Sequence, residues 1–321
     1  MIKLALFTVS YCGFWYRGKA LSLKEQIAKA KKLGFDGLSI ETKRPVALPC
    51  DLDSKNRKQL REFADSQNIK LVAVETMSNF ATPIIEEREN NLCMVQDAIR
   101  MAADMDIDIV KVFAAWRGTS HYEGLGTYEL GRKLTKIKSL FVTKDQMWRW
   151  ATSGIKDLAK WANDYGITVA VQNHPPVVEY GYETVLEFVK EIGLDNVKLC
   201  LDVPLFLNQS DEYIHEAVEA CKESGIVLSH YGSPLFDELP SGEITYERDE
   251  YIGRVYTNYP AFIKELKRIG YNGFLASEEC APVLENHEYQ GVDVAERHIK
   301  AALKYMKSLI STGKEPKTVR I

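Results

Sequence analysis

Apolar positions along the chain follow two alternating patterns. Short apolar runs such as residues 69–75 (IKLVAVE) are typical of buried strands, and eight such runs occur before residue 279. Between them, apolar residues recur at helical spacing, as where Leu23, Ile27 and Leu33 share one face. Strands that alternate with helices over short connections predict parallel pairing with right-handed crossovers. Eight such units predict an α/β fold, a closed (β/α)8 TIM barrel.

Two stretches are longer than a minimal strand–helix connection. Residues 117–142 follow the fourth predicted strand, and residues 232–258 follow the seventh. Both come after the C-terminal ends of strands, where barrel loops build active sites, so we expect lids or partner surfaces there; irregular surface excursions are an equal alternative. No linker rich in Pro or Ser divides the chain, so we take residues 1–321 as a single domain. A doubly wound open sheet is the alternative fold, but no early strand is followed by G-x-G-x-x-G.

Polar side chains stand at the C-terminal ends of the predicted strands. Successive side chains of a strand point to opposite faces, and barrel enzymes place their chemistry at these strand ends. Buried carboxylates that converge there repel each other and stay protonated unless a cation compensates them. Lys111 neutralises part of this charge, and a divalent metal held by Asp202, His230 and Glu278 does so more completely. Mixed oxygen and nitrogen ligands suit Mn²⁺, Co²⁺, Mg²⁺ or Zn²⁺. The inward-facing set is Glu41, Glu75, Gln172, His174, Asp202, His230 and Glu278.

Composition excludes several classes of function. The chain carries 41 Lys+Arg against 45 Asp+Glu, a formal net charge of −4, which gives no general attraction to nucleic acid. No apolar run approaches the roughly 18 residues that span a bilayer. Six cysteines without a C-x-x-C pair indicate reduced thiols. We therefore expect a cytoplasmic protein that binds a small molecule and neither nucleic acid nor a membrane.

The motifs GFDGLSIE, VQNHPP, LCLDVP, VLSHYGS and YNGFLASE resemble the xylose isomerase-like TIM-barrel superfamily, over essentially the whole chain. This superfamily includes keto-sugar 3-epimerases, hydroxypyruvate isomerase, inosose dehydratase and endonuclease IV. Its members typically hold one metal with Glu, Asp, His and Glu from strands five to eight. The resemblance places these ligands at Gln172, Asp202, His230 and Glu278, and we expect Mn²⁺ as the metal.

Gln172 departs from the superfamily pattern, which has Glu there. A Gln carbonyl oxygen still ligates a hard cation, but it cannot accept a proton as a carboxylate does. Sugar epimerases of this group resemble two-base enzymes that use the strand-five and strand-eight carboxylates, so the missing base weakens an epimerase interpretation. His174 lies two residues beyond Gln172 on the same face, and an imidazole titrates near neutrality. One base and a metal that polarises a ketone suffice for β-elimination.

Three hypotheses about function follow. The first is a metal-dependent lyase that acts on a keto-sugar or 3-oxo-glycoside by β-elimination, with His174 as general base. It resembles inosose dehydratase chemistry and also the large subunit of bacterial C-glycoside deglycosidases, which pairs with a small β-sandwich subunit. The second is a keto-sugar isomerase or 3-epimerase in which Glu278 is both ligand and base. The third is a non-catalytic, metal-stabilised binding or scaffold subunit. We also expect the chain to form an oligomer. The substrate contacts that we expect are Glu41, Glu75, Lys111, Trp116, His121 and Arg254.

Overall fold

The computed structural model describes residues 1–232, 237–238, 244–245, 257–285, 288–316 and 318–319. Eight parallel strands form one closed barrel, in which each strand pairs with the next and the last pairs with the first. This arrangement confirms the predicted (β/α)8 TIM barrel. The strands are β1 (Lys3–Phe7), β2 (Gly37–Glu41), β3 (Lys70–Glu75), β4 (Ile109–Val112), β5 (Thr168–Gln172), β6 (Val197–Cys200), β7 (Ile226–Gly232) and β8 (Phe274–Glu278).

Helices cover the outside of the barrel, and their ends follow local sequence signals. The first begins after Ser22, whose hydroxyl accepts from the backbone N–H of Glu25 while the Glu25 carboxylate accepts from the backbone N–H of Ser22. It ends at Gly34, which has a φ of 85° that favours glycine. The helices are α1 (Leu23–Leu33), α2 (Ser54–Ser66), α3 (Ile85–Asp104), α4 (Glu129–Lys138), α5 (Lys144–Asn163), α6 (Glu183–Ile192), α7 (Asp211–Cys221), α8 (Tyr259–Arg268) and α9 (Val292–Thr312).

The connection after β4 contains structure that the sequence pattern did not predict. It forms a two-stranded hairpin, Ser120–Tyr122 with Leu125–Thr127, and then α4, a helix outside the regular strand–helix alternation. Most of the stretch 232–258, after β7, lies outside the described residues. Its described backbone includes two short strands, Asp237–Glu238 and Ile244–Thr245, and the second of them pairs with Thr318–Val319.

The barrel interior is apolar below a polar rim. Ala5, Ala73, Ala170 and Ala276 stand two residues before the ends of their strands, and all four are fully buried. Because side chains alternate along a strand, these alanines share the inward face with the strand-end residues above them. These small residues occupy the middle of the barrel, below the strand-end residues. Among the described helices, none has the length and apolar character needed to cross a membrane.

Candidate active site

A cavity of about 340 Å³ opens at the C-terminal end of the barrel. Aromatic rings form much of its wall, with Phe113 stacked on Trp116 at 4.6 Å and Trp116 in edge contact with Tyr128 at 5.7 Å between ring centroids. Strands on all sides of the barrel contribute to the lining, so the side chains predicted from separate strand ends meet in one place. The predicted site residues that line it are Glu41, Lys111, Trp116, Gln172, His174, Asp202, His230 and Glu278.

Asp202 and His230 form the centre of the site. His230 Nδ1 lies 2.9 Å from Asp202 Oδ2, and the backbone N–H of His230 donates to Asp202 Oδ1 at 2.7 Å. Cys200 Sγ lies 3.7 Å from Asp202 Oδ1 and 3.6 Å from His230 Nδ1. One potential ligand atom from each of these three residues lies within 4.8 Å of the others, so the group is able to hold a metal ion.

The amide of Gln172 supports a cation at this point. Its Nε2 group donates to Asp202 Oδ2, while its Oε1 atom is buried and has no hydrogen-bond partner within the described part of the chain. A buried amide oxygen without a partner is costly, and a hard cation satisfies it. The amide oxygen of Gln172, the carboxylate of Asp202 and the imidazole of His230 therefore form a donor set that fits a divalent metal. Glu278, the fourth ligand expected from the sequence, is not part of the group of close ligand atoms, in which Cys200 stands instead.

Asn173 positions Asp202 from the outside of the barrel. Its Oδ1 atom accepts from the backbone N–H of Asp202 at 2.7 Å, and its Nδ2 group donates to the carbonyl oxygens of Asp202 at 3.0 Å and Gly181 at 3.1 Å. Asn173 is fully buried, so these bonds satisfy its amide without water. The residue thereby ties the end of β5 to the chain that follows β6.

Glu75 lies behind His230 and not on the cavity wall. Its carboxylate is 2.9 Å from His230 Nε2 and 3.3 Å from Lys111 Nζ, and it accepts from the Ser39 hydroxyl. Burial raises the pKa of Glu75, but His230 and Lys111 outweigh it and the net pKa is lowered. A carboxylate on one ring nitrogen of a histidine fixes the orientation of the ring and of the other nitrogen. Glu75 thus directs Nδ1 of His230 toward Asp202.

The electrostatics of Asp202 and His230 reinforce each other. Burial raises the pKa of the Asp202 carboxyl, but the contact with His230 lowers it by more, so the net pKa is below its usual value. Burial lowers the pKa of His230, whereas Asp202 and Glu75 raise it well above the usual value for an imidazole. Without a metal, His230 is therefore an imidazolium held between two carboxylates.

His174 is a neutral imidazole on the cavity wall. Burial lowers its pKa to about 4, so the ring is uncharged near neutral pH. Its Nδ1 atom lies 2.6 Å from the carbonyl oxygen of Pro175. Because a carbonyl oxygen only accepts, Nδ1 carries the hydrogen and Nε2 keeps its lone pair. The ring packs edge-on against Phe113 at 5.1 Å and Trp116 at 5.2 Å. The lone pair on Nε2 is the basic atom of the ring, but with a pKa of about 4 it is a weaker base than the imidazole titrating near neutrality that the sequence predicted.

Two further carboxylates face the cavity. Burial raises the pKa of Glu278, and the negative charge of Asp202 adds to the effect although His230 opposes it. Glu41 is 1% exposed, and Lys43 Nζ lies 2.7 Å from its Oε1 atom. Its Oε2 atom is buried and has no hydrogen-bond partner in the portion of the chain that is described. This oxygen is available to accept a hydroxyl of a bound molecule.

Two predicted contacts are left. His121 is on the exposed hairpin, packs against Phe14 at 4.3 Å between ring centroids, and is not part of the cavity lining. Arg254 lies outside the described residues. Sequence reasoning gave no role to Asn173, Ser39 or Cys200. Cys200 carried a usable signal, since it precedes Asp202 by two positions on the inward face of β6.

Comparison with known proteins places the chain among barrels of similar shape. It superimposes on a D-psicose 3-epimerase from Clostridium cellulolyticum H10, solved with D-tagatose, with a TM-score of 0.68 at 18% identity over 96% of this chain and 99% of that one. It superimposes on the IolI protein, solved with a zinc atom, with a TM-score of 0.65 at 20% identity, over 98% of this chain and 99% of that one. It also superimposes on a 3-keto-D-glucoside 4-epimerase from E. coli, with a TM-score of 0.66 at 14% identity over 96% of this chain and 100% of that one.

Family membership follows from the sequence. A comparison with the sequences of curated proteins gives no match. The model of the xylose isomerase-like TIM barrel family, in contrast, matches residues 27–309, which is most of the chain and includes seven of the eight barrel strands. The chain therefore belongs to the xylose isomerase-like TIM barrel family.

Proposed function

We propose that this chain is a divalent-metal-dependent isomerase or epimerase of a keto-sugar, which moves a proton on the carbon next to the substrate carbonyl. The observation that carries the proposal is the meeting of Gln172, Asp202, His230 and Glu278 in one cavity at the C-terminal mouth of the barrel. The named activities of the structural neighbours, two epimerases among them, favour this function over the β-elimination that the sequence first suggested.

In this proposal the metal ion and the protein side chains have separate roles. Gln172, Asp202, His230 and Glu278 would hold a divalent cation, and the cation would supply Lewis-acid polarisation of the substrate carbonyl. Epimerisation removes a proton from one face of a carbon and returns one to the other face, so it needs two proton carriers. Glu278 is one carrier. Gln172 cannot be the other, and the Nε2 atom of His174 takes that role.

The rest of the cavity binds and shields the sugar. The free Oε2 atom of Glu41 accepts a substrate hydroxyl, and Lys43 donates to another. Phe113 and Trp116 pack on the apolar face of the ring and exclude water. Lys111, whose Nζ atom lies 3.8 Å from the centroid of Phe113, stabilises negative charge that develops on the substrate.

β-Elimination from a 3-oxo-glycoside or an inosose-type substrate is a second candidate function. The observation that favours it is the neutral Gln172 beside a single uncharged imidazole, His174, because elimination needs one base and no second carboxylate. This form of the proposal retains the expectation of a small β-sandwich partner.

Incubation in D₂O with a panel of keto-sugars and 3-oxo-glycosides separates the two functions. Epimerisation incorporates deuterium into an epimer and retains every substituent, whereas elimination releases the leaving group and gives an unsaturated ketone. We expect His174→Gln to lower kcat about 100-fold or more, as for the loss of a general base, with metal content unchanged. His215→Gln is the matched control, since His215 pairs with Glu265 outside the cavity. Wild-type rates in both His174→Gln and Glu278→Gln would overturn the proposal.

Metal identity and cellular location complete the proposal. We expect Mn²⁺ to support the highest rate among Mn²⁺, Co²⁺, Mg²⁺ and Zn²⁺, because carboxylate and amide oxygens dominate the ligand set. Reconstitution of the metal-free protein with each ion, followed by rate measurement, tests the order. We also expect the protein in the cytoplasm, and fractionation of cells that express it tests this location.

A further inference from the structure

Two arginines on the cavity wall have no part in the mechanism above. Arg117 belongs to the connection after β4, and Arg132 lies near the start of α4, and both line the cavity. Neither guanidinium makes a hydrogen bond or an ion pair with a residue that the structure describes. Glu129, the acid nearest to Arg132 along α4, lies 3.3 Å from Lys133 instead. We call Arg117 and Arg132 the arginine pair.

The backbone brings the arginine pair to one part of the wall. A Cβ atom at Gly131 would lie 2.5 Å from the carbonyl oxygens of Arg117 and Gly118. Because Gly131 has no side chain, the first turn of α4 rests directly on the chain that carries Arg117. Arg132 is the next residue after this contact. Two arginines that are far apart in the sequence are therefore neighbours at the cavity mouth.

The arginine pair is the part of the cavity charge that no described group balances. Four Lys and Arg side chains of the described residues line the wall. The two lysines each contact a carboxylate oxygen, at 2.7 Å for Lys43 and 3.3 Å for Lys111. Asp202 and Glu278 belong to the proposed metal site, where their two charges would balance a divalent ion. The described wall thus keeps two excess positive charges, and both are guanidinium groups.

These two groups face the space in which the substrate is proposed to bind. Arg117 directly follows Trp116, which also lines the cavity and stacks on Phe113. Burial is the main cause of the low pKa of His174, and the charge of Arg117 contributes to it, so the guanidinium acts on the same space. A guanidinium presents its N–H donors in a planar fork that matches the oxygens of a phosphate or a carboxylate.

We propose that the arginine pair binds an anionic group, a phosphate or a carboxylate, that the sugar substrate carries. This inference rests on the proposed function and narrows its substrate class to a keto-sugar phosphate or a keto-sugar acid. The proposed metal ligands come from the ends of β5 to β8, whereas the arginine pair belongs to the connection after β4 and to α4. The anionic group is therefore held apart from the carbonyl that reacts.

Isothermal titration calorimetry of the Mn²⁺-loaded protein tests the preference for an anion. D-fructose, D-fructose 6-phosphate and D-fructuronate are the probes, because they differ only at the last carbon. We expect at least one anionic probe to bind about 10-fold or more tighter than D-fructose, the usual effect of a hydrogen bond between charged groups. The tighter of the two identifies the group as phosphate or carboxylate. Binding of D-fructose as tight as that of both anions would overturn the proposal.

Replacement of the arginine pair assigns the preference to these residues. In Arg117→Gln/Arg132→Gln the preferred anionic probe should bind about 10- to 100-fold more weakly, and D-fructose should change by less than about 2-fold. Arg149→Gln is the matched control, since Arg149 is exposed on α5 and is not part of the cavity lining. Circular dichroism confirms that each variant is folded. A double variant that keeps the wild-type preference would contradict the assignment.

Inorganic phosphate tests the arginine pair without a sugar. If none of the three sugars binds, phosphate titrated into the same protein should still bind, and Arg117→Gln/Arg132→Gln should weaken it about 10-fold or more. Equal binding of phosphate to both proteins, or no binding to the wild type, would then reject the site. These measurements do not depend on turnover. A retained preference for anions without proton exchange in D₂O would reject the isomerase function alone, whereas equal kcat/KM for neutral and anionic sugars would reject the anionic substrate alone.

Discussion

Replacing Glu75 by Gln removes a buried charge while it keeps the volume of the side chain. Glu75 is fully buried, and it contacts His230 Nε2 at 2.9 Å and Lys111 Nζ at 3.3 Å. Lys111 is itself only 1% exposed, so water cannot replace the lost partner. Breaking a buried ion pair from one side costs about 3–5 kcal/mol. Because a Gln oxygen still accepts from Lys111, we expect the lower end, a loss of about 3 kcal/mol in the free energy of unfolding.

Chemical denaturation in the presence of EDTA measures this loss without interference from a bound metal. Glu62→Gln is the control, since Glu62 is exposed and its Oε1 lies 3.9 Å from Lys58 Nζ, a surface pair worth about 0–1 kcal/mol. The double variant Glu75→Gln/Lys111→Met removes both charges and should regain about 0.5–3 kcal/mol relative to the sum of the single changes. A loss in Glu75→Gln no larger than in Glu62→Gln would refute the reasoning.

The same substitution tests the orienting role of Glu75. If its carboxylate holds the His230 ring in place, Glu75→Gln should weaken metal binding by about 10- to 100-fold, the usual effect of losing such a partner. Competition with a metal-sensitive dye gives the affinity directly and does not depend on turnover. Unchanged affinity in a folded variant would show that His230 is positioned without Glu75.

Three other predictions follow from the site and the core. Asn173→Ala removes three buried hydrogen bonds around Asp202, so the free energy of unfolding should fall by about 3 kcal/mol in urea denaturation. Saturation with Mn²⁺ at about 100 times its dissociation constant should stabilise the protein by about 2.7 kcal/mol in the same assay, and Asp202→Asn should lack this effect. At pH 8 a thiol reagent should label the exposed Cys50 and Cys93 rapidly and the buried cysteines slowly, because burial raises the pKa of each of the latter to about 12; equal rates would contradict the packing.

The barrel and the centre of its site were predictable because both depend on periodicity. Alternation along a strand decides which face a residue occupies, and parallel topology brings all C-terminal ends to one rim. Asp202, His230 and Glu278 satisfy both conditions and line the same cavity. The sequence shows which residues these are, and the fold class alone brings them to the same end of the barrel.

Height along the barrel axis was not predictable in the same way. Glu41 and Glu75 are each the last residue of a strand, and both were predicted to face inward. Glu41 lines the cavity, whereas Glu75 lies behind His230. Alternation gives the face of a strand but not its stagger relative to neighbours, which the closed barrel sets. Asn173 was missed for another reason, since its partners are backbone groups that no sequence pattern displays. Helix α4 was missed because its large apolar residues Leu130, Leu134 and Ile137 are exposed to solvent. A prediction from helical periodicity assumes that such residues are buried.

The charge balance of the site gives a physical reason for an amide, and not a carboxylate, at position 172. Glu75, behind the site, and Lys111, on the cavity wall, form a neutral pair. In front of it, Asp202 and Glu278 offer two negative charges, which a divalent cation neutralises when Gln172 contributes only an amide oxygen. A Glu at position 172 would leave the buried site with one excess negative charge. Because isolated charge in a protein interior is costly, the neutral amide matches the ligand set to a divalent ion. The proton chemistry that a carboxylate would have supplied at this position then falls to His174, whose uncharged ring adds no further charge.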